Sequence, residues 1–331
     1  MPAINRTRKI KYNLATILLL TFFYLIVQLL VSKKILLPYD LQILGLICIN
    51  IMLAVSLNLI NGFTGLFSIG HAGFFGIGAY LSAYLTVYNQ IPFALALLLG
   101  GVFAAIVGIC IGLPALRLRG DYLAIATLGF SEIIRVVILN IPTIGGARGF
   151  SGISRKTTFG IAYVLMIVTV IVIKNFIEST HGRACIAIRE DEIASESLGI
   201  NSTYYKVTAF AIGAFFAGVA GGLFSHLMQY INPASIGFMK SVDILIMVVL
   251  GGLGSITGSV LAAIFLTLLP ELLRSLAEFR MVVYPIILIL TMLFRPSGLL
   301  GGKELSYAFI HGLFKKLFGR KKDRRMNAND A

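Results

Sequence analysis

Apolar residues arrive in runs of about 20, the length a helix needs to cross the hydrocarbon core of a bilayer. Such runs cover residues 13–31, 41–60, 67–88, 92–113, 121–141, 159–177 and 205–228. A longer apolar stretch, 239–270, is interrupted by GGLGSITG, and a short last run, 281–294, precedes Arg295-Pro296-Ser297-Gly298. If the interrupted stretch is two short helices, the chain has about ten spans and both termini share a side; if it is one span, they lie on opposite sides. Charge decides between the two. With about ten spans, the N-terminal basic cluster, Arg117 and Arg119, the loop with Arg183 and Arg189, and the tail from Arg295 through Arg325 all fall on the cytoplasmic face. The other face keeps a smaller set that includes Lys33, Lys34, Arg148, Arg155 and Lys156. The expected fold is an all-α polytopic membrane protein of about ten transmembrane helices, some broken or re-entrant, with an internal repeat. Counts of eight or nine stay open because broken helices blur the tally.

Composition agrees. At 58% hydrophobic and 13% charged, the 331 residues offer too little polar surface to cover a soluble globule. The 34 glycines against nine prolines fit close helix packing in lipid. The net charge of +14 sits in the tails and between apolar runs, so membrane topology explains it better than nucleic acid does. The three cysteines are an odd count, and Cys48 and Cys110 lie inside apolar runs, so no disulfide framework is implied. Arg6, Arg8, Lys9 and Lys11 lead into the first run, and no small-residue cleavage site precedes Ser32, so that run is expected to be an uncleaved signal anchor. Residues 1–300 are read as one transmembrane domain with a cytoplasmic loop at 178–203. The basic tail, 301–331, is read as a cytoplasmic retention signal with attraction to anionic lipid; a specific partner-binding role is the other reading.

Two stretches look broken. NLINGFTGLFSIGHAGFFGIGAY packs Gly62, Gly65, Gly70, Gly73, Gly76 and Gly78 among Asn58, Asn61, Ser68 and His71. Glycine weakens a helix by about 1 kcal/mol per residue relative to alanine, so a break or re-entrant turn is expected near Gly62 to Gly65. Unwound backbone is tolerated in a membrane only inside protein or along a wet cavity, which makes the segment a candidate translocation path. The alternative is close helix crossing with Asn and Ser bonded between helices. The second stretch, VVLGGLGSITGSVLAA, carries Gly252, Gly254 and Ser255 and shares Gly-Leu-x-Ser-Ile with residues 65–69, the paired interruption expected of repeat-built transporters. Glu132 and Arg135, three apart in an apolar run, are read either as a polar gate or as a structural ion pair. A lone His71 is more often a hydrogen-bonded core residue than a ligand or proton relay. No catalytic or metal-binding set is expected.

The one long polar interval in the middle of the chain is STHGRACIAIREDEIASESLGINSTYYK. It predicts a short helix from Arg189 to Leu198, with Glu190, Asp191 and Glu192 in the first turn and Gly199 as C-cap. Ile193, Ala194 and Leu198 form a small apolar face opposite acidic residues, a shape suited to a groove on another protein. A solvated surface loop is the plainer reading.

Six blocks in order, GLFSIGHAGFFGIGAY, GDYLAIATLGFSEIIR, GGARGFSGI, GRACIAIREDEIASESLGI, VVLGGLGSITGSVLAA and FRPSGLLG, resemble the LivM-type permeases of branched-chain amino-acid ABC transporters from about Asn50 to Gly302. The resemblance implies an inner-membrane import subunit working with ATPase subunits, a second related permease and an extracytoplasmic solute-binding protein, and it makes the polar interval the ATPase-coupling segment. The residues it puts there are Gly182, Arg183, Arg189, Glu192, Ala194 and Gly199, and the acidic Glu190, Asp191 and Glu196 of the same loop are counted with them. The wider importer pattern Glu-Ala-Ala-x-x-x-Gly is not kept: counting back from Gly199 gives Ile193, Ala194 and Ser195, with Glu192 one residue early. No phosphate-loop motif occurs, so ATP is expected on the partner subunits and no cofactor or catalytic role here. Urea, short amides or nucleosides are near alternatives as cargo. An ion-coupled secondary transporter using Glu132 and His71 is a reading from another class, and it leaves the acidic loop unexplained.

Overall fold

The computed structural model describes residues 24–31, 33, 37–116, 118 and 120–273, with isolated positions at 286, 289, 293, 298 and 299. Most of the expected runs 13–31 and 281–294, Arg117, Arg119 and the basic tail lie outside these residues. Besides the helical residues 24–31 and short 3-10 and π turns, the described residues form the α-helices α1 (Pro38–Asn58), α2 (His71–Val87), α3 (Phe93–Ala115), α4 (Asp121–Leu139), α5 (Phe159–Glu178), α6 (Thr180–Glu190), α7 (Glu192–Ser197), α8 (Ser202–Met228), α9 (Phe238–Gly251) and α10 (Ile256–Leu272). Six stretches are long and apolar enough to cross a membrane: Pro38–Phe63, α3, α4, α5, α8 and Pro233–Gly251; α10 is apolar but shorter. The chain is a multi-pass, all-α membrane protein.

Proline at its first position and Asp40, whose carboxylate accepts the Leu37 amide at 2.9 Å, start α1. From Ile47 onward α1 is buried, so it is the central post of the bundle. By contrast α3, α4 and α5 turn Leu98, Phe103, Ile125, Ile133, Val164 and Val168 outward, as helices at a lipid-facing perimeter do. Missing side chains let the centre close. A Cβ on Gly78 would stand 1.9 Å from the Gly218 carbonyl oxygen, and one on Gly221 would stand 1.9 Å from that of Phe75, so α2 and α8 touch backbone to backbone.

Two elements share a build and run in opposite directions. After α1, a π-helical turn, Leu59–Phe63, opens into a segment without regular structure, 64–70, and α2 begins only at His71, whose Nε2 lies 2.8 Å from Ser56 Oγ. The chain has therefore turned back beside α1 before α2 carries it to the far face, where Thr86 Oγ1 meets His226 Nε2 of α8 at 2.9 Å. After α8, residues 229–237 likewise run back before α9 begins beside the start of α2, with the Ala72 amide donating to Ser241 Oγ at 3.2 Å. Thus a long helix, a return without α-helix and a shorter helix, of 17 residues in α2 and 14 in α9, occur twice, inverted. The sequence match of 65–69 with 252–256 does not mark this repeat. Residues 65–69 form the return before α2, whereas 252–255 form the tight turn between α9 and α10. The interrupted stretch is two helices, with Gly252 at φ +105° and Gly254 at φ +80° between them. Downstream, Leu299 donates its amide to the Leu250 carbonyl at 2.7 Å, so residues 298–299 pack against that turn.

Candidate functional site

The two glycine breaks meet. Asn58, fully buried at the end of α1, donates through Nδ2 to the Ser255 carbonyl at 2.8 Å and to Ser259 Oγ at 2.9 Å, while its Oδ1 accepts the Gly254 amide at 2.9 Å. One amide side chain satisfies the turn between α9 and α10, as a buried polar group in an apolar bundle must. Gly62 is required by the same contact: a Cβ there would lie 2.3 Å from the Gly254 nitrogen and 1.9 Å from Asn58 Oδ1. Asn61 plays a parallel role one turn on, bonding the Ser68 carbonyl and amide at 3.0 and 3.2 Å and so holding the return segment.

Arg189 closes the junction. It stands at the end of α6, and its Nη1 donates to the Gly62 carbonyl at 2.8 Å. Its Cγ would be 2.6 Å from a Cβ on Gly65, whose φ of +73° already favours glycine, and Nη1 would be 3.0 Å from one on Gly254. Glu190 holds the guanidinium from the other side, Oε1 accepting from Nε at 3.1 Å and Nη2 at 2.5 Å. One arginine thus touches both breaks and the polar segment between α5 and α8.

That segment is two helices, which corrects the single helix expected from Arg189 to Leu198. Asp191 leaves the helical region at φ −156° and ψ 109°, and its carboxylate accepts the Ala194 amide at 3.0 Å, the geometry of an N-cap. Arg189 and Glu190 therefore end α6, Asp191 caps α7, and only Glu192 sits in the first turn of α7. Gly199 follows α7 at φ +82°. Glu192 pairs with Lys206 Nζ of α8 at 2.5 Å, with the lysine side chain only 9% exposed, and Glu196 accepts from Ser202 Oγ. Gly182 in α6 has no room for a side chain, since a Cβ would be 2.3 Å from the Ile177 carbonyl oxygen. Among the described residues Arg183 donates to the Glu178 carbonyl alone, at 3.1 Å. Ala194, Ile193 and Leu198 face out, the last two 69% and 83% exposed. Cys185, on the buried side of α6, has its thiol pushed up to about 11 by burial.

A second polar group lies at the start of α9. Glu132 and Arg135 of α4 form an ion pair, Oε2 to Nε 2.6 Å, and Glu132 Oε1 also accepts the Phe238 amide at 3.1 Å. This carboxylate is a helix cap with a countercharge. His71 lies away from it, beside Ser56. The sequence reading passed over Lys240 and Asp243, one turn apart within the run beginning at 239; their i, i+3 spacing was the available signal, the same one that singled out Glu132 and Arg135. Lys240 Nζ donates to Asn50 Oδ1 at 3.3 Å and lies 5.7 Å from the Phe75 ring centre. Among the described residues no group of three or more His, Cys, Asp or Glu is placed to hold a metal ion.

Residues 39–293 match the family described as branched-chain amino acid transport system / permease component. The chain is 39% identical over 287 residues to the high-affinity branched-chain amino acid transport system permease protein LivM of Salmonella typhimurium, covering 76% of this chain and 68% of that one. The Escherichia coli K12 protein of the same name is 39% identical over 294 residues, 78% of this chain and 69% of its own. LivH of the same strain is 34% identical over 165 residues, 49% of this chain and 53% of its own. No solved structure matches the chain.

Proposed function

We propose a specific role for this chain, which belongs to the branched-chain amino acid transport system permease family: it carries leucine, isoleucine or valine across the bacterial inner membrane as one permease of an ABC importer. It is a transport subunit rather than an enzyme, and energy comes from separate ATPase subunits. Its partners are those ATPases, a second permease of the LivH kind and an extracytoplasmic solute-binding protein. The α6–α7 face is the cytoplasmic one, with both termini on that side.

In this reading α6 and α7 receive the ATPase motion. Ile193 and Leu198, exposed on a short capped helix, make the docking contact, and Glu192 with Lys206 ties α7 to α8. Arg189 carries displacement to the two glycine breaks, so the path around Asn58, Asn61, Gly62, Gly65, Ser68, Gly252, Gly254 and Ser255 opens in step with the ATPases. The observation that carries the proposal is the Arg189 contact with the Gly62 carbonyl. Glu132 is already bound by Arg135 and a helix amide, which counts against its use as a free proton carrier.

The test is reconstitution of this chain with its candidate second permease, ATPases and binding protein in liposomes, followed by radiolabelled leucine uptake. Uptake that requires ATP on the ATPase side is expected. Uptake driven by a proton gradient with the ATPases left out would refute the proposal.

A further inference from the structure

Asp243 is an exposed carboxylate in the middle of a membrane-crossing stretch. Eight residues separate it from Gly251, which sets it roughly 12 Å along the helix from the junction with Arg189. Lys240 lies one turn further from that junction, with its ammonium turned to Asn50 of α1. Among the described residues Asp243 has no hydrogen-bond donor, and the Lys240 ammonium, with three donors to place, has one acceptor, Asn50 Oδ1. The two charges attract one another across the turn without a direct ion pair. Lipid does not solvate such groups, so this face of α9, with Met239 also 73% exposed, must lie against protein or water rather than acyl chains. Glu132 and Arg135 border it, mutually neutralised.

We propose that Lys240 and Asp243 form a recognition station for the zwitterionic head of an α-amino acid, on a water-lined path between this chain and the second permease. The ammonium of Lys240 takes the solute carboxylate, and the carboxylate of Asp243 takes the solute ammonium. A cation and an anion one helical turn apart match a ligand whose own opposite charges are adjacent, while the apolar residues around them tolerate a branched side chain. The assignment rests on the amino-acid importer reading above; it adds where the chain itself contacts the solute. Asn50 and the Phe75 ring position Lys240 from behind.

The experiment uses the complete complex in liposomes, with Cys48, Cys110 and Cys185 replaced. Met239→Cys and, separately, Asp243→Cys are treated with a membrane-impermeant cationic thiol reagent and compared with Val168→Cys on the outward apolar face of α5. The α9 positions are expected to react at least about tenfold faster, because a thiolate forms only where water reaches it. In the native-cysteine complex, Asp243→Asn and Lys240→Gln are each expected to lower leucine uptake about tenfold or more, the loss of one charge-assisted contact, while ATPase stimulation by leucine-loaded binding protein persists. The proposal is overturned if Met239→Cys reacts no faster than Val168→Cys, if both neutral variants transport within about twofold of wild type, or if stimulation disappears together with uptake. Wild-type complex that fails to import leucine on ATP would instead sink the function assigned above, while the labelling contrast still reports whether the α9 face is wet.

Discussion

Replacing Arg189 tests the proposed step between ATPase motion and the membrane path. A hydrogen bond from a charged donor is worth about 1.5–3 kcal/mol. The Arg189 side chain is 34% exposed, so the lower end of that range, about 1.5–2 kcal/mol, applies. Arg189→Ala also removes the Cγ that packs on Gly65, and it leaves the buried Gly62 carbonyl without this donor. If the contact is present in only one of the two states that alternate during transport, its loss shifts their balance by about ten- to thirtyfold. Leucine transported per ATP hydrolysed is the quantity to measure in proteoliposomes of the whole complex. Arg189→Ala is expected to lower that ratio about ten- to thirtyfold with assembly and ATP hydrolysis maintained. Arg189→Lys should fall between, because an ammonium lacks the planar fork that reaches Gly62 and Glu190 together. Arg183→Ala, which loses only a bond to the Glu178 carbonyl, serves as the control. An Arg189→Ala complex with a wild-type ratio would refute the reasoning.

Three further outcomes follow, one at this junction and two in the neighbouring α6 and α7. Gly62→Ala drives a methyl group into Asn58 Oδ1 and the Gly254 amide, and because both are fixed it should cost about 3 kcal/mol or more, read as loss of folded protein and a lower unfolding temperature in detergent. Glu192→Gln leaves the buried Lys206 ammonium without its countercharge and should destabilise by about 2–4 kcal/mol, whereas Glu192→Gln combined with Lys206→Met should recover most of that, measured by thermal unfolding. Because burial raises the Cys185 thiol from 9.0 to about 11, its stabilising contribution is complete below pH 9.0 and is lost as pH rises through about 11. Maleimide should therefore leave Cys185 unmodified at neutral pH until the protein is denatured, and Cys185→Ala should flatten the alkaline fall in stability.

The membrane class and the positions of most helices were legible in the chain because a bilayer imposes one demand, apolar runs of sufficient length, on every span. Both glycine breaks were legible for a similar reason: dense glycine marks backbone that has left the helix or touches other backbone. What the sequence could not carry is which breaks meet. Asn58 and Gly254 are 196 residues apart, and nothing local in either stretch names the other. The same limit hid Lys206 as the partner of Glu192 and Asn50 as that of Lys240. The division of the coupling segment into α6 and α7 turned on Asp191, whose side chain serves equally well in a first turn or at an N-cap. Periodicity favoured one helix, and the capping bond to Ala194 gave two.

The arrangement explains why a small displacement of a surface helix can reach the centre of the membrane. A shift of α6 passing through flexible side chains would be absorbed by rotamer changes. Here it passes through one short hydrogen bond into the Gly62 backbone, and from Gly62 into the Gly254 backbone, with no Cβ between them to yield. Backbone-to-backbone contact in a close-packed interior is stiff, so the junction moves as a unit or separates. Helix α9 ends at this junction, and α2 is joined to it by the 64–70 return, and the two helices begin beside one another, with Ser241 capping α2 and Glu132 capping α9. On the proposed coupling, moving the junction would tilt α9 and reorient the face that carries Lys240 and Asp243. The break held by α6 lies at one end of α9 and the paired starts of α2 and α9 at the other, which makes α9 a lever of about 21 Å between them.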